Sequence, residues 1–173
     1  MKKEYLLVDG YNIIHAWDEL IELSKVSLES ARSKLLDIMS DYQGFNSNIT
    51  VIVVFDGYLV KGGIGSAFEY NNIYVVYTKE AETADHYIEK IVTKVPRECK
   101  IRVATSDGLE QLIILGGGAI RMSARELKAE IKHSRKTMRE SYIENRPPKS
   151  NLLMDNLDER TRSILEMMRR QKQ

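Results

Sequence analysis

Apolar and polar positions along the chain follow two alternating patterns. Short, mostly apolar runs predict buried strands, and the run 49–55 in particular predicts a strand that is buried on both faces of a sheet. Such runs cover 5–8, 49–55, 73–77 and 101–104, and 119–122 is a candidate fifth strand. Between these runs, apolar residues recur every three or four positions, which is the spacing of an amphipathic helix. This spacing predicts helices over 12–42 with a break near 24–27, 83–95, 107–115, 123–142 and 157–168.

The alternation of strands and helices predicts the class of fold. Strands separated by helices form a parallel sheet through right-handed crossover connections. The segment 57–71 contains Gly57, Gly62, Gly63 and Gly65 and lacks periodicity, so it is predicted as a flexible loop. Ser123 and Glu126 have the spacing of a capping box that begins the long helix, and Pro147-Pro148 ends it. We therefore expect an α/β fold with a mostly parallel sheet of four to five strands and C-terminal helices.

Three of the nine aspartates stand just past an apolar run and directly before a glycine: Asp9, Asp56 and Asp107. Asp-Gly between two strands is a strong signal for a hairpin. Here, however, the segment after Asp9 or Asp107 has helical spacing, and the segment after Asp56 is the glycine-rich loop. A hairpin therefore does not explain these aspartates.

The predicted topology brings these carboxylates together. Parallel strands share one carboxyl-terminal edge, where α/β sheets bind ligands, and Asp9, Asp56 and Asp107 follow strand ends at that edge. Asp85 joins them, because it lies in the first turn of the helix that follows the third strand. Each aspartate alone can be a helix cap or a turn residue. Four at one edge instead indicate a functional site.

Close carboxylates repel one another, and a cation removes this cost. Two carboxylates 5 Å apart repel by about 3 kcal/mol at an effective dielectric constant of 20. Mg²⁺ and Mn²⁺ prefer carboxylate and water oxygens as ligands. A site of this kind can polarise a phosphodiester, lower the pKa of a bound water and stabilise the leaving oxygen. The acidic edge therefore predicts a phosphodiester hydrolase.

Four segments resemble one known family. VDGYN at 8–12, FDG at 55–57, TADHYIEKIV at 83–92 and ATSDGLEQ at 104–111 together resemble the YacP-like branch of the NYN nucleases, within the PIN-like ribonuclease superfamily. The likeness covers most of residues 4–170. It implies a PIN-like three-layer α/β/α fold and metal-dependent endoribonuclease activity with one or two Mg²⁺ or Mn²⁺ ions. It also implies RNA as substrate, mRNA in particular, a role in mRNA turnover, and the ribosome as a candidate partner.

The resemblance assigns roles to individual residues. Asp9, Asp85 and Asp107 are the implied metal-binding acids, and Asn12 is a polar partner in the catalytic site. Asp56 matches the FDG element and is included among the catalytic residues. Thr105 and Ser106 stand beside the third acid and are expected to hydrogen-bond a phosphate or a metal-bound water. The implied products carry a 5′-phosphate and a 3′-hydroxyl.

Charge is distributed unevenly along the chain. Residues 1–120 contain 12 Lys and Arg against 17 Asp and Glu, whereas residues 121–173 contain 14 against 8. An acidic body attracts cations, and a basic segment attracts a polyanion. Five basic residues near the start of the long helix follow spacings of three and four and form a predicted phosphate-binding stripe. They are Arg121, Arg125, Lys128, Lys132 and Arg135. Glutamates between these basic residues also allow ion pairs within the helix.

Length and composition limit the remaining possibilities. The 173 residues allow one domain with an appendage, which we expect as a nuclease core over 1–122 and a basic helical extension over 123–173 packed on it. Cys99 is the only cysteine, which favours a reducing compartment. The absence of a signal-peptide pattern and of a long apolar run predicts a cytoplasmic protein that does not associate with a membrane. No small-molecule cofactor is expected.

Two other functions remain open at this stage. The first is a non-catalytic RNA- or ribosome-binding module that retains a vestigial acidic pocket. The second is a phosphohydrolase or phospho-acceptor of another doubly wound family, which is disfavoured because no aspartate follows Asp9 at the next two positions. RNA cleavage with and without Mn²⁺ separates the nuclease from the binding module.

Overall fold

The computed structural model describes residues 3–57, 65–79, 81–96, 98–106, 118–144 and 159. The chain divides into two compact units, Met1–Thr137 and Met138–Gln173. The predicted helices over 107–115 and 157–168 fall almost wholly outside the described residues, and the predicted boundary at 122/123 stays a prediction. No helix in these described ranges is both long enough and apolar enough to cross a membrane.

The described strands form one sheet of six strands. Its order is β3-β4-β2-β1-β5-β6, and each neighbouring pair is parallel except β3 with β4. The predicted α/β fold is confirmed. The elements are β1 (Glu4–Asp9), α1 (Gly10–Ala16), α2 (Asp18–Val26), α3 (Leu28–Phe45), β2 (Ile49–Phe55), β3 (Ser66–Tyr70), β4 (Ile73–Tyr77), α4 (Ala84–Lys94), β5 (Lys100–Ala104), β6 (Ile120–Met122) and α5 (Ala124–Glu144).

One strand was missing from the sequence prediction. β3 lies in the segment predicted as a loop, and it pairs antiparallel with β4 at the edge of the sheet. Four of its five residues are exposed. An edge strand that is exposed in this way has no continuous apolar run, so it lacks the signal by which the buried strands are found. The sheet formed by the described residues therefore has six strands rather than four to five.

The long helical segment predicted over 12–42 consists of three helices. The predicted break is confirmed at Ser27, whose side chain accepts a hydrogen bond from the Ser30 amide and begins α3. A second break, at Trp17, was not predicted. The Trp17 indole is buried and donates a 2.9 Å hydrogen bond to the Ala124 carbonyl oxygen. Burial of this large side chain against α5 ends α1 after two turns.

The sheet is covered on both faces, which gives the three-layer arrangement. Alternate residues of a strand point to opposite faces, so Leu6 and Val8 of β1 lie in one core cluster and Leu7 lies in the other. The first cluster includes apolar residues of α1, α2, α3 and α5. The second is formed with α4. The continuous apolar runs are therefore explained by burial on both sides.

The first part of α5 is fixed to the sheet by apolar and ionic contacts. The Ser123 hydroxyl and the Glu126 carboxylate form the predicted capping box. Leu127 and Ile131 are buried in the first core cluster. A largely buried guanidinium, that of Arg102 on β5, forms an ion pair of 2.8 Å with Glu130 of α5. This pair places the exposed face of α5 at a defined position beside β5.

Candidate active site

A cavity of about 380 Å³ opens at the carboxyl-terminal edge of the parallel strands. β1 ends at Asp9, β2 is followed by Asp56, and β5 is followed by Thr105 and Ser106. α4 begins at the same edge, because it follows the exit of β4. The residues that line the cavity are Asp9, Tyr11, Asn12, His15, Ala16, Asp56, Asp85 and Ser106. The convergence of Asp9, Asp56 and Asp85 expected from the topology is therefore present.

Asp9 is a buried carboxyl at the centre of this edge. Its side chain is the N-cap of α1 and accepts a 3.1 Å hydrogen bond from the Asn12 amide. Only 5% of the residue is exposed. The pKa of Asp9 is raised to about 7, mainly by burial and also by the nearby carboxyls of Asp85 and Asp56, while the Asn12 hydrogen bond lowers it. Asp9 is therefore poised to lose its proton when a cation binds beside it.

Asp56 and Asp85 are linked through the start of α4. Asp56 Oδ1 accepts a 2.7 Å hydrogen bond from the Ala84 amide. Thr83 supplies the ordinary N-cap of the same helix by accepting from the His86 amide. Asp85 lies in the first turn, and its carboxyl is within hydrogen-bonding reach of the Asp9 carboxyl. The first turn of α4 is thus held against the end of β2 by a carboxylate of the site itself.

Asn12 connects α1 to the end of β5. Its side-chain Oδ1 accepts a 2.8 Å hydrogen bond from the Ser106 amide. Ser106 is exposed and lines the cavity, so its position suits a contact with a ligand. Thr105 is fully buried, and its amide donates to the Met122 carbonyl oxygen at 3.0 Å. Thr105 is not among the residues that line the cavity, and its predicted contact with a phosphate is not tested.

Two glycines allow the strands to end so close together. A Cβ on Gly10 would lie 2.2 Å from the Phe55 ring, and a Cβ on Gly57 would lie 1.7 Å from the Thr78 carbonyl oxygen. The Gly57 amide also donates a 3.0 Å hydrogen bond to the Thr78 hydroxyl. The first two Asp-Gly pairs therefore combine a carboxylate at the edge with a glycine that permits close packing directly behind it.

The third predicted metal ligand, Asp107, lies outside the described residues. Among the residues that the structure does describe, no three His, Cys, Asp or Glu side chains form a cluster that is ready to hold a metal ion. The cavity brings two of the three implied ligands together, Asp9 and Asp85, and adds Asp56 beside them. The metal site of Asp9, Asp85 and Asp107 stays a prediction.

The predicted basic stripe is exposed, but its members differ in surroundings. Arg121 lies in β6 rather than in the helix, so the stripe on α5 begins at Arg125. Lys128 lies 5.7 Å from the Trp17 ring centre, with Glu19 at 4.0 Å, and Arg135 forms a 3.3 Å ion pair with Asp41. Neither Arg125 nor Lys132 forms an ion pair within the described part of the chain.

Three residues of the cavity were not predicted from the sequence: Tyr11, His15 and Ala16. All three belong to α1, whose start at Gly10 decides which side chains face the edge. His86, which follows Asp85 in the sequence, is exposed and does not line the cavity. The VDGYN segment was the available signal, since it places Tyr11 between the two site residues Asp9 and Asn12.

Comparison with known proteins gives a consistent result. A family model described as a YacP-like NYN domain matches residues 6–170. "Uncharacterized protein YacP" of Bacillus subtilis (strain 168) is 47% identical over 129 residues, which are 74% of this chain and 75% of that protein. A crystal structure of Rae1 (YacP) from Bacillus subtilis is 39% identical, with a TM-score of 0.70, and the match covers 98% of this chain and 95% of that one. A tryptophan-to-leucine mutant of the same protein is 36% identical, also with a TM-score of 0.70, over 95% and 99% of the two chains.

Proposed function

Since this chain belongs to the family of YacP-like NYN domains, which are generally nucleases, we propose that it is a metal-dependent endoribonuclease that cleaves RNA phosphodiester bonds. The observation that carries the proposal is the cavity in which Asp9, Asp56 and Asp85 meet at the carboxyl-terminal edge of the sheet. The family supplies RNA as the class of substrate. That the RNA is mRNA, and that the ribosome is a partner, stay predictions.

The chemistry of this cavity suits a divalent cation. Its acidic groups are oxygen donors of the kind that Mg²⁺ and Mn²⁺ prefer. One of them, Asp9, is buried, and its pKa of about 7 reflects burial and the neighbouring carboxyls of Asp85 and Asp56. A cation offsets both effects. Asp9 and Asp85, with Asp107, would hold the ion, which when bound supplies a Lewis acid for the scissile phosphate and its attacking water.

The chain's own residues keep this acidic pocket in place. Asp56 holds the first turn of α4 through the Ala84 amide, and so fixes the backbone that carries Asp85. Asn12 fixes the end of β5 through the Ser106 amide, next to the position of Asp107 in the sequence. Because both ties run between different elements, they hold the backbone at Asp85 and the end of β5 in place before RNA binds. Such preorganisation is a major source of catalytic electrostatics.

The decisive experiment measures RNA cleavage directly. Purified protein is incubated with an end-labelled single-stranded RNA in Mn²⁺, in Mg²⁺ and in EDTA, and the product ends are analysed. We expect internal cuts only with a divalent cation, with 5′-phosphate and 3′-hydroxyl ends. An Asp9→Asn, Asp85→Asn double variant is the control for a contaminating nuclease. RNA binding without any cleavage would instead support the non-catalytic binding module.

A further inference from the structure

Four aromatic rings form a continuous row that begins at the acidic cavity. Tyr11 lines the cavity and contacts the Phe55 ring at a centre-to-centre distance of 5.1 Å and an angle of 63°. Phe55 stacks on Tyr77 at 5.4 Å and 21°, and Tyr77 stacks on Phe68 at 6.1 Å and 20°. Offset stacking at such distances is favourable for aromatic pairs. The row therefore connects the cavity to β3 at the edge of the sheet.

The outer end of this row is exposed. Phe68 is 44% exposed, although it lies on the same face of the sheet as the buried Val75 with which it pairs. Its neighbour Tyr70 is used differently, because its hydroxyl donates a 2.8 Å hydrogen bond to Asp37 and its ring packs against the core. An exposed phenylalanine contributes less to stability than a buried one. The stacked row thus ends in a flat apolar ring that the other described residues leave partly uncovered.

A positively charged side chain, that of Arg32, lies beside Tyr11 at the inner end of the row. Arg32 Nη1 donates a 3.0 Å hydrogen bond to the Tyr11 hydroxyl, and its charge also acts on Tyr77. No carboxylate of the described residues forms an ion pair with Arg32, in contrast to Arg135, which is paired with Asp41. The guanidinium therefore keeps donors for an anion, next to the cavity.

We propose that single-stranded RNA leaves the cavity past Arg32 and Tyr77 toward Phe68, with an unpaired base stacked on the exposed Phe68 ring and a backbone phosphate bound by Arg32. This inference rests on the proposed function, because it names the form of RNA that the same site accepts. A cationic group next to stacked aromatic rings is the combination by which proteins bind single strands without reading sequence. Arg32 lies at the Tyr11 hydroxyl, and Tyr11 lines the cavity. The positive charge beside the proposed nuclease site therefore favours RNA as the occupant.

The stacking role is tested by binding in the absence of cleavage. The affinity of a fluorescein-labelled single-stranded oligoribonucleotide is measured by anisotropy in EDTA for the wild type and for Phe68→Leu, Phe68→Trp and Tyr74→Leu. Phe68→Leu keeps an apolar side chain but removes the flat ring, so we expect an affinity about 5- to 100-fold weaker. Phe68→Trp should bind at least as tightly as the wild type. Tyr74, which is 48% exposed but lies on the opposite face of β4, is the matched control and should bind normally.

The role of Arg32 is tested by the salt dependence of the same binding. Arg32→Gln can still donate to the Tyr11 hydroxyl but lacks the charge, whereas Arg32→Lys keeps the charge. Loss of one phosphate contact on a single strand lowers the slope of log Kd against log salt concentration by about 0.7. We expect this decrease for Arg32→Gln and not for Arg32→Lys. A purely structural role would leave the slope of both variants unchanged and would overturn this part of the proposal.

The outcomes separate this inference from the proposed function. If the wild type cleaves RNA, but Phe68→Leu and Tyr74→Leu bind single-stranded RNA with the same affinity, the proposed RNA path is wrong and the proposed nuclease activity is supported. If the wild type does not cleave RNA, and Phe68→Leu binds single-stranded RNA more weakly than the wild type does, the proposed RNA path is supported and the proposed nuclease activity is wrong. Absence of wild-type binding to single-stranded RNA overturns the path, as does an equal loss of affinity for single- and double-stranded RNA in Phe68→Leu.

Discussion

The Asp56 carboxylate accepts the hydrogen bond of the Ala84 amide at 2.7 Å, across 28 positions of sequence. This single contact joins the end of β2 to the first residue of α4, and it thereby fixes the residue that follows, Asp85. Asp56 therefore has a position in the site that is distinct from those of Asp9 and Asp85. Asp56, the acid of the FDG element, thus positions the backbone directly before another acid, Asp85.

Substitutions of Asp85 and of Asp56 should affect RNA cleavage to different extents. Asp85→Asn should lower RNA cleavage by about 100-fold or more, because it removes an expected ligand of the cation. Asp56→Asn keeps an acceptor for the Ala84 amide and should lower cleavage by about 10-fold, while Asp56→Ala should also destabilise the protein by about 1 kcal/mol. Cleavage rates over a Mn²⁺ titration, together with urea denaturation, measure both effects. Equal and complete losses of activity in Asp56→Asn and Asp85→Asn would contradict the positioning role.

The stability of the metal-free protein should depend on pH through Asp9. Its pKa is about 7 in the folded protein and 3.8 in the reference state, so between these values the folded state binds one proton more than the unfolded state. Stability contributed by the protonated carboxyl is therefore lost as pH rises from about 4 to about 7. Asp9→Asn removes this loss and still offers an oxygen to the Asn12 amide.

We expect Asp9→Asn to be more stable than the wild type at pH 8 by up to about 4 kcal/mol, with the difference shrinking toward pH 5. Urea denaturation in EDTA at several pH values measures it. Mn²⁺ at pH 8 should stabilise the wild type more than the variant. The exposed Asp18→Asn serves as the control and should show no such gain. A difference between wild type and Asp9→Asn that does not change with pH would exclude this origin.

The fold was predictable where burial leaves a pattern. β2 and β4 begin and end at the predicted residues, since both are mostly apolar and largely buried. β3 was not predictable, because an exposed edge strand has neither an apolar run nor clear alternation. The break at Trp17 depends on a tertiary contact with Ala124, 107 residues away. Local periodicity contains no information about such a contact.

The candidate site was predictable to the extent that topology alone determines it. Parallel strands place Asp9, Asp56 and Asp85 at one edge wherever their side chains point. Whether Tyr11 and His15 line the cavity depends instead on the rotation of α1 about its axis. This rotation follows from the start of the helix at Gly10, which packs against the Phe55 ring. The ties formed by Asn12 and Asp56 likewise require coordinates. The sequence pattern therefore predicts where Asp9, Asp56 and Asp85 lie, but it does not contain the contacts that position them.

The glycine behind Asp56 should be intolerant of a side chain. A Cβ at Gly57 would meet a backbone atom, the Thr78 carbonyl oxygen, at 1.7 Å, and this atom cannot move without shifting β4. We expect Gly57→Ala to lower the free energy of unfolding by about 3 kcal/mol, at the upper end of overpacking effects. Gly44→Ala is the control: its nearest neighbour is the Asn72 amide at 3.8 Å, and it lies within α3. In a helix this change is neutral or favourable, so thermal denaturation should separate the two variants clearly.

The exposed basic residues of α5 should contribute to RNA affinity according to whether the fold already pairs them. Arg125 and Lys132 have no ion pair in the described part of the chain, whereas Arg135 is paired with Asp41. Replacing both Arg125 and Lys132 by Glu should weaken RNA binding and lower the salt slope by about 1.4, because two phosphate contacts are lost. Arg135→Glu alone should have a smaller effect, since its charge is already neutralised.

A matched control for this prediction is the exchange of Lys3 and Lys94 for Glu. Both are exposed, and both lie toward the opposite edge, since Lys3 precedes β1 and Lys94 ends α4. The net charge of the control therefore changes by the same amount as that of the Arg125, Lys132 variant, without a change on α5. Equal losses of affinity in the two variants would mean that RNA responds to overall charge. A loss confined to the α5 variant would assign that face of the helix to the backbone of the bound RNA.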